Sequence, residues 1–163
     1  MFKHAGGAMI LKVCRIRTDA KLPTRAYRTD AGMDLYYCPN GDKKLYDERS
    51  FHIPPRESRL LPTGIKVEVP CGHMLEIKNK SGVAYKRQLL VGACVVDSGY
   101  NGEVYVNLHN IGSETQVIKT GDKIAQAVMI PVVHCKVEEV ETDQFLNFHS
   151  KRGEGGFGST GEK

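Results

Sequence analysis

Ten residues near the C-terminus carry the densest chemistry in this chain. Arg152-Gly-Glu-Gly-Gly-Phe157-Gly158-Ser159-Thr160-Gly161 sets a guanidinium, an aromatic ring and two hydroxyls among glycines. Glycine lets backbone N–H groups curl closely around phosphate oxygens. Arginine pairs bidentately with phosphate, and a ring offers a base a stacking face. By composition alone the same stretch is a flexible tail, with five glycines in the eleven residues from Gly153. A second cluster, Val95-Val96-Asp97-Ser-Gly-Tyr100-Asn-Gly-Glu-Val104, places an acid after an apolar run and an aromatic at the mouth of an expected hairpin. A partly shielded Asp97 can act as a general base, and Tyr100 can pack under a sugar. The plainer alternative is an Asp that accepts turn N–H bonds beside a half-buried Tyr. Ala31-Gly-Met-Asp34-Leu and Lys80-Ser81-Gly82 say less individually, since Asp34 suits a turn and Ser81 a helix cap. Both also suit metal and phosphate.

The segments that must position these groups read mostly as strands. Ile65 to Val69 alternates apolar and polar residues, Pro70-Cys-Gly72 makes a turn, and Met74 to Lys78 alternates again. Val104, Val106 and Leu108 share one face, with Tyr105, Asn107 and His109 on the other. Asn101-Gly102 predicts a hairpin turn, because both residues tolerate positive φ. Gly121-Asp122 predicts a further turn, and the run Ile124 to Val133 predicts a strand buried on both faces at a subunit contact. One helix is expected over Val83 to Leu90. Asn40 to Arg49 is polar, charged and unpatterned, a surface loop. Many short strands separated by turns predict a β-sandwich or barrel.

Composition bounds the rest. A chain of 163 residues, 40% hydrophobic and 26% charged, fits one soluble domain with a real core. The net charge of +4 is modest, and its paired cations (Lys86-Arg87, Lys43-Lys44, Lys151-Arg152) do not form the stripe of a nucleic-acid binder. An anionic small molecule is the expected partner. The five cysteines are scattered without Cys-x-x-Cys or zinc-ligand spacing, which predicts reduced thiols in an intracellular setting. The apolar patch Ala8 to Val13 is too short and broken for a signal peptide or a membrane span. Met9 is an alternative start, which would leave eight residues as a disordered extension.

In order and spacing, these pieces resemble the five motifs of the trimeric dUTPase family (deoxyuridine 5'-triphosphate nucleotidohydrolases). Ala31-Gly-Met-Asp-Leu-Tyr36 is similar to the first, Lys80-Ser-Gly-Val-Ala84 to the second and Val95 to Val104 to the third. Gly121-Asp-Lys-Ile-Ala-Gln126 is similar to the fourth and Arg152 to Gly161 to the fifth. The resemblance runs from about Val13 to Gly161. It implies an all-β jelly-roll-like barrel or sandwich, assembled as a homotrimer with active sites shared between subunits. Each site takes the third motif from one subunit, the first, second and fourth from another, and the last from the third. The implied organisation is an N-terminal region over 1–12, a β-domain over 13–148 and a lid arm over 149–163.

The implied reaction is Mg²⁺-dependent hydrolysis of dUTP to dUMP and pyrophosphate, which limits uracil in DNA and supplies dUMP for dTMP synthesis. Asp97 is the implied base for a water attacking the α-phosphorus. Asp34 is expected to support the Mg²⁺ waters from the outer sphere. Lys80, Ser81, Gly82 and Gln126 are expected on the phosphate chain, with Arg152, Gly158, Ser159 and Thr160 closing over its γ end. Phe157 is expected to stack on uracil, which backbone groups between Val91 and Tyr100, Val96 included, would read. Tyr100 beneath the deoxyribose would clash with a ribose 2′-OH.

The sequence also departs from the family pattern. Lys80 stands where Arg is usual and loses the bidentate fork. Gly99 replaces a usual Asp, Asn101 a common Arg or Gln, and Cys94 a common Gly. Two other readings stand beside the enzyme. dCTP deaminases share this fold, and Asp97-Ser-Gly99-Tyr leans their way. Their glutamate ten residues beyond the aspartate is here Asn107, and a carboxamide cannot shuttle protons. A binding role through the Asn40 to Arg49 loop can coexist with catalysis. No stable nucleic-acid or membrane association is expected.

Overall fold

The computed structural model describes residues 9–41 and 50–142. Among these residues, eleven strands and one helix follow in chain order: β1 Lys12–Arg15, β2 Met33–Tyr36, β3 Ser50–Ile53, β4 Ser58–Pro62, β5 Ile65–Glu68, β6 His73–Lys78, α1 Ser81–Arg87, β7 Leu89–Val91, β8 Val95–Asp97, β9 Tyr105–Asn110, β10 Gln116–Lys119 and β11 Lys123–Pro131. They form four sheets with orders β1-β5, β10-β3, β2-β11-β6-β8 and β4-β9-β7, all paired antiparallel. The architecture is the expected all-β sandwich type, and among the described residues the sheets do not close into a barrel.

The alternating patterns resolve as expected. Along β5 buried and exposed residues alternate, and Val104, Val106 and Leu108 are wholly buried while Tyr105, Asn107 and His109 face outward. The core gathers Leu35, Ile53, Leu61, Leu75, Leu108 and Ile124 from six strands, so each short strand is stabilised by the others rather than by its own length. Gly72 and Gly121 adopt φ of 76° and 83°, placing turns at Pro70 to Gly72 and at Gly121-Asp122 as read from the sequence. The Asp122 carboxylate accepts the Lys119 N–H and closes the second turn.

Two expectations need correcting. No hairpin forms at Asn101-Gly102: β8 pairs with β6 and β9 with β4 and β7, so this segment crosses between two sheets. The positive φ belongs to Gly99, at 93°. The helix ends at Arg87, not Leu90, because Gln88 turns left-handed at φ 52° and its N–H bonds to the Val83 carbonyl. Leu89 then enters β7 and the core. β11 is central between β2 and β6, and within the single chain its burial is uneven. Ile124, Ala125 and Ala127 are buried, whereas Gln126 and Val128 to Ile130 are only half-buried.

The chain divides into a compact unit through Val133 and a second unit from His134. Within the second, residues 134–141 contain no strand. All five cysteines are free thiols. No helix among the described residues is long and apolar enough to cross a membrane.

Candidate active site

Sheet register brings the first, second and fourth motifs together. Gln126 on β11 sits opposite Asp34 on β2 and opposite Lys78 at the end of β6, two residues before Lys80. A cleft of about 240 Å³ opens there, lined among others by Asp30, Gly32, Asp34, Lys80 and Gln126. A buried carboxylate sits at its wall. Asp34 is 5% exposed, and its two oxygens accept the ammonium groups of Lys80 at 2.8 Å and Lys123 at 2.7 Å. Burial pushes the Asp34 carboxyl up, but the hydrogen bonds from Lys123 and Lys80 outweigh it and hold it below its usual range. Its partner Lys123 is raised by the same hydrogen bond. The site therefore keeps a fixed negative charge at neutral pH, flanked by two cations whose outer faces reach solvent.

Local chain geometry explains the placement. Asp34 N–H bonds to the Thr24 carbonyl at 2.7 Å, an isolated bridge that fixes the start of β2. Gly32 lies directly against Gln126, and a Cβ there would come within 2.0 Å of the Gln126 Oε1. The Gln126 amide donates to the Asn79 carbonyl at 2.9 Å. Asn79 in turn accepts the Val91 N–H on its Oδ1 at 2.7 Å. Lys80 caps α1 through its carbonyl, which accepts the N–H groups of Val83 and Ala84. Ser81 and Gly82 occupy the exposed first turn of that helix, outside the cleft lining.

The third motif stands apart from this cleft. Asp97 is exposed at the end of β8, which among the described residues is an edge strand of its sheet. Val96 beside it packs into the core against β6, opposite Leu75, so its side chain is not offered to a ligand. An edge strand leaves one row of backbone N–H and C=O groups without a sheet partner. Tyr100 is 46% exposed, its hydroxyl donates to the Glu103 carbonyl at 3.0 Å, and its ring lies over Gly102. The fifth motif, with Arg152, Phe157, Gly158, Ser159 and Thr160, lies outside the described residues, as does most of the Asn40 to Arg49 loop.

Sequence reasoning overlooked Asn79, Asp30 and the Lys123 partner of Asp34. Only Lys123 left a trace, as a cation three residues before Gln126 in the fourth motif. Arg87, one of the paired cations, is fixed inside the fold by Gln116, Asp122 and the Val117 carbonyl. As to Mg²⁺, the carboxylates of the cleft are Asp34 and Asp30, and among the described residues no group of three possible metal ligands gathers. That donor set fits an ion held mainly by the ligand's own phosphates and its waters.

A family model described as dUTPase matches residues 18–161. A deoxyuridine 5'-triphosphate nucleotidohydrolase of Gloeothece citriformis is 40% identical over 155 residues, 94% of this chain and 97% of that protein. A dUTPase of Staphylococcus bacteriophage 80alpha, solved with dUPNHPP, shares the fold at a TM-score of 0.76 and 25% identity, covering 94% of this chain and 99% of that one. A mutant dUTPase from phage phi11 of S. aureus, solved to reveal coordination of a structural Mg(II) ion, gives a TM-score of 0.71 at 24% identity over 82% of this chain and 97% of that one.

Proposed function

The chain belongs to the dUTPase family, and from that premise we propose how its residues divide the hydrolysis of dUTP to dUMP and pyrophosphate. Asp97 takes a proton from water as that oxygen attacks the α-phosphorus. The bond from the α-phosphorus to the bridging oxygen breaks, and pyrophosphate leaves with the electron pair. Exposure of Asp97 on an edge strand suits a base that must meet both solvent water and an incoming phosphate.

The cleft receives the phosphate chain. Lys80, one-third exposed, can turn from Asp34 toward a phosphate oxygen while Lys123 keeps the carboxylate paired. Gln126 and Ser81 add neutral donors, and Gly82 leaves the backbone open to close approach. Bound Mg²⁺ would supply charge neutralisation along the triphosphate, with Asp34 oriented to hold its waters. Backbone groups of β8, with those near Val91, read the uracil edge. Tyr100 lies under the deoxyribose, where a ribose 2′-OH would collide. Arg152, Phe157, Gly158, Ser159 and Thr160 close over base and γ-phosphate, and three copies of the chain together complete each site.

The observation that carries this reading is the meeting of Asp34, Lys80 and Gln126, from three distant stretches of sequence, on one cleft. Pyrophosphate release should be measured in parallel with dUTP, dCTP, dTTP and UTP, with and without Mg²⁺. Release is expected from dUTP alone and should fall steeply when the metal is chelated. Equal release from UTP would remove Tyr100 from its role, and ammonia from dCTP would replace hydrolysis by deamination.

A further inference from the structure

We infer that the Arg17–Glu103 ion pair is a positioning device for Tyr100 and thereby sets discrimination between deoxyribose and ribose. This rests on the placement of Tyr100 under the sugar. The loop from Ser98 to Val104 crosses between two sheets and has no ladder of its own to hold it. Its anchors are few. Ser98 Oγ donates to the Val69 carbonyl at 3.1 Å, the Tyr100 N–H to the Asp97 carbonyl at 3.2 Å, and Val104 is held at both its N–H and its carbonyl by Ile65 and Thr63. The Tyr100 side chain has its own tie, its hydroxyl donating to the Glu103 carbonyl at 3.0 Å. The hydroxyl end of the tyrosine is therefore set by the position of Glu103.

Glu103 is fixed by its side chain. The carboxylate is only 8% exposed and accepts both terminal nitrogens of Arg17, one of them at 3.0 Å on Oε2. It also accepts the Gly64 N–H at 2.7 Å. Arg17 is held in turn by the Cys38 carbonyl at 3.2 Å. Gly64 has φ 73°, with Ala20 and Cys38 packed where a side chain would stand, so this platform has no room to shift. A bidentate arginine–carboxylate pair fixes orientation as well as distance. The ring of Tyr100 then lies over Gly102, where a Cβ would come within 2.1 Å of the hydroxyl. Neither Arg17 nor Glu103 lines the cleft, and the link from Glu103 to Tyr100 runs through the Glu103 carbonyl that accepts the tyrosine hydroxyl.

The test compares kcat/KM for dUTP and for UTP in the full-length chain carrying Arg17→Met, Arg17→Lys, Glu103→Gln or Tyr100→Ala. Arg17→Met should lower the dUTP-to-UTP preference by about tenfold while kcat for dUTP stays within about threefold, since Asp97 is held by the pairing of β8 with β6. Arg17→Lys should recover part of the preference, because it restores charge without the fork. Glu103→Gln keeps an acceptor for Gly64 and provides the same readout should Arg17→Met fail to fold. A preference that collapses in Tyr100→Ala but is unchanged in folded Arg17→Met and Glu103→Gln overturns the positioning role alone. An unchanged preference in Tyr100→Ala overturns the sugar contact, and this inference with it.

Discussion

At the scale of single residues, two carboxylates stand in opposite environments. Asp97 is open to solvent at a strand end, whereas Asp34 is buried and locked between two ammonium groups. Asp97→Asn keeps shape and hydrogen bonding but cannot accept the proton, so the variant should bind dUTP while turnover falls by roughly three orders of magnitude or more. Near-normal turnover would remove Asp97 as the base. Asp34 predicts a dependence on acidity instead. Its pKa is depressed in the folded chain, so its stabilisation is fully present above the unfolded value of about 3.9 and is lost as pH falls through the lower folded value. Asp34→Asn should therefore unfold more easily at neutral pH, by about 2 kcal/mol for a charge-assisted hydrogen bond. Its stability should also change less than the parent's below about pH 4. Thermal melts from pH 3 to 7 would show this, and parallel acid limbs would mean that the lysines contribute nothing. Lys80 bears on both roles, because every movement toward phosphate releases one Asp34 oxygen.

At the scale of elements, short strands and tight turns are where local geometry has the most leverage. Gln88 ends α1 in a left-handed conformation that glycine adopts without a Cβ penalty, while its N–H and C=O bind Val83 and Ile111. Gln88→Gly should thus stabilise the chain by about 0.5–1 kcal/mol in urea titration, and a loss would show that the side chain matters more than the backbone. The same residue shows what the sequence hid: the apolar pattern through Leu90 continues past the helix because Leu89 is a core strand residue, and periodicity alone does not separate the two. Strands with one buried face, such as Ile65–Glu68 and His73–Lys78, were legible because alternation is imposed by the core. The turn at Gly99 was not. Asn101-Gly102 carries the stronger local signal, but β8 and β9 pair with different neighbours and need no tight hairpin between them. In the cleft, Asp34, Lys80 and Gln126 were legible as motif residues. Asn79 and Asp30 were not, because their roles arise from contacts made only after folding.

At the scale of the whole molecule, the distribution of chemistry is the informative feature. Asp34, Lys80 and Gln126 line one cleft; Asp97 and Tyr100 do not line it. A phosphate-binding cleft without its base is incomplete, and the trimeric arrangement we propose supplies the base from a second copy and the glycine-rich segment from a third. This arrangement makes a quantitative prediction about mixtures. Asp97→Asn and a chain truncated after Ser150 should each be nearly inactive. When the two are co-expressed at equal levels, random assembly makes three-quarters of trimers mixed. In every mixed trimer one site of three draws an intact Asp97 from one subunit and an intact terminal segment from another. The mixture should regain roughly a quarter of the parental rate per subunit. A site confined to a single chain recovers nothing, because each variant then carries its own defect into every site it forms. Recovery measured on trimers purified through two different tags would separate these outcomes, and a mixed trimer without turnover would refute sharing of the site between copies.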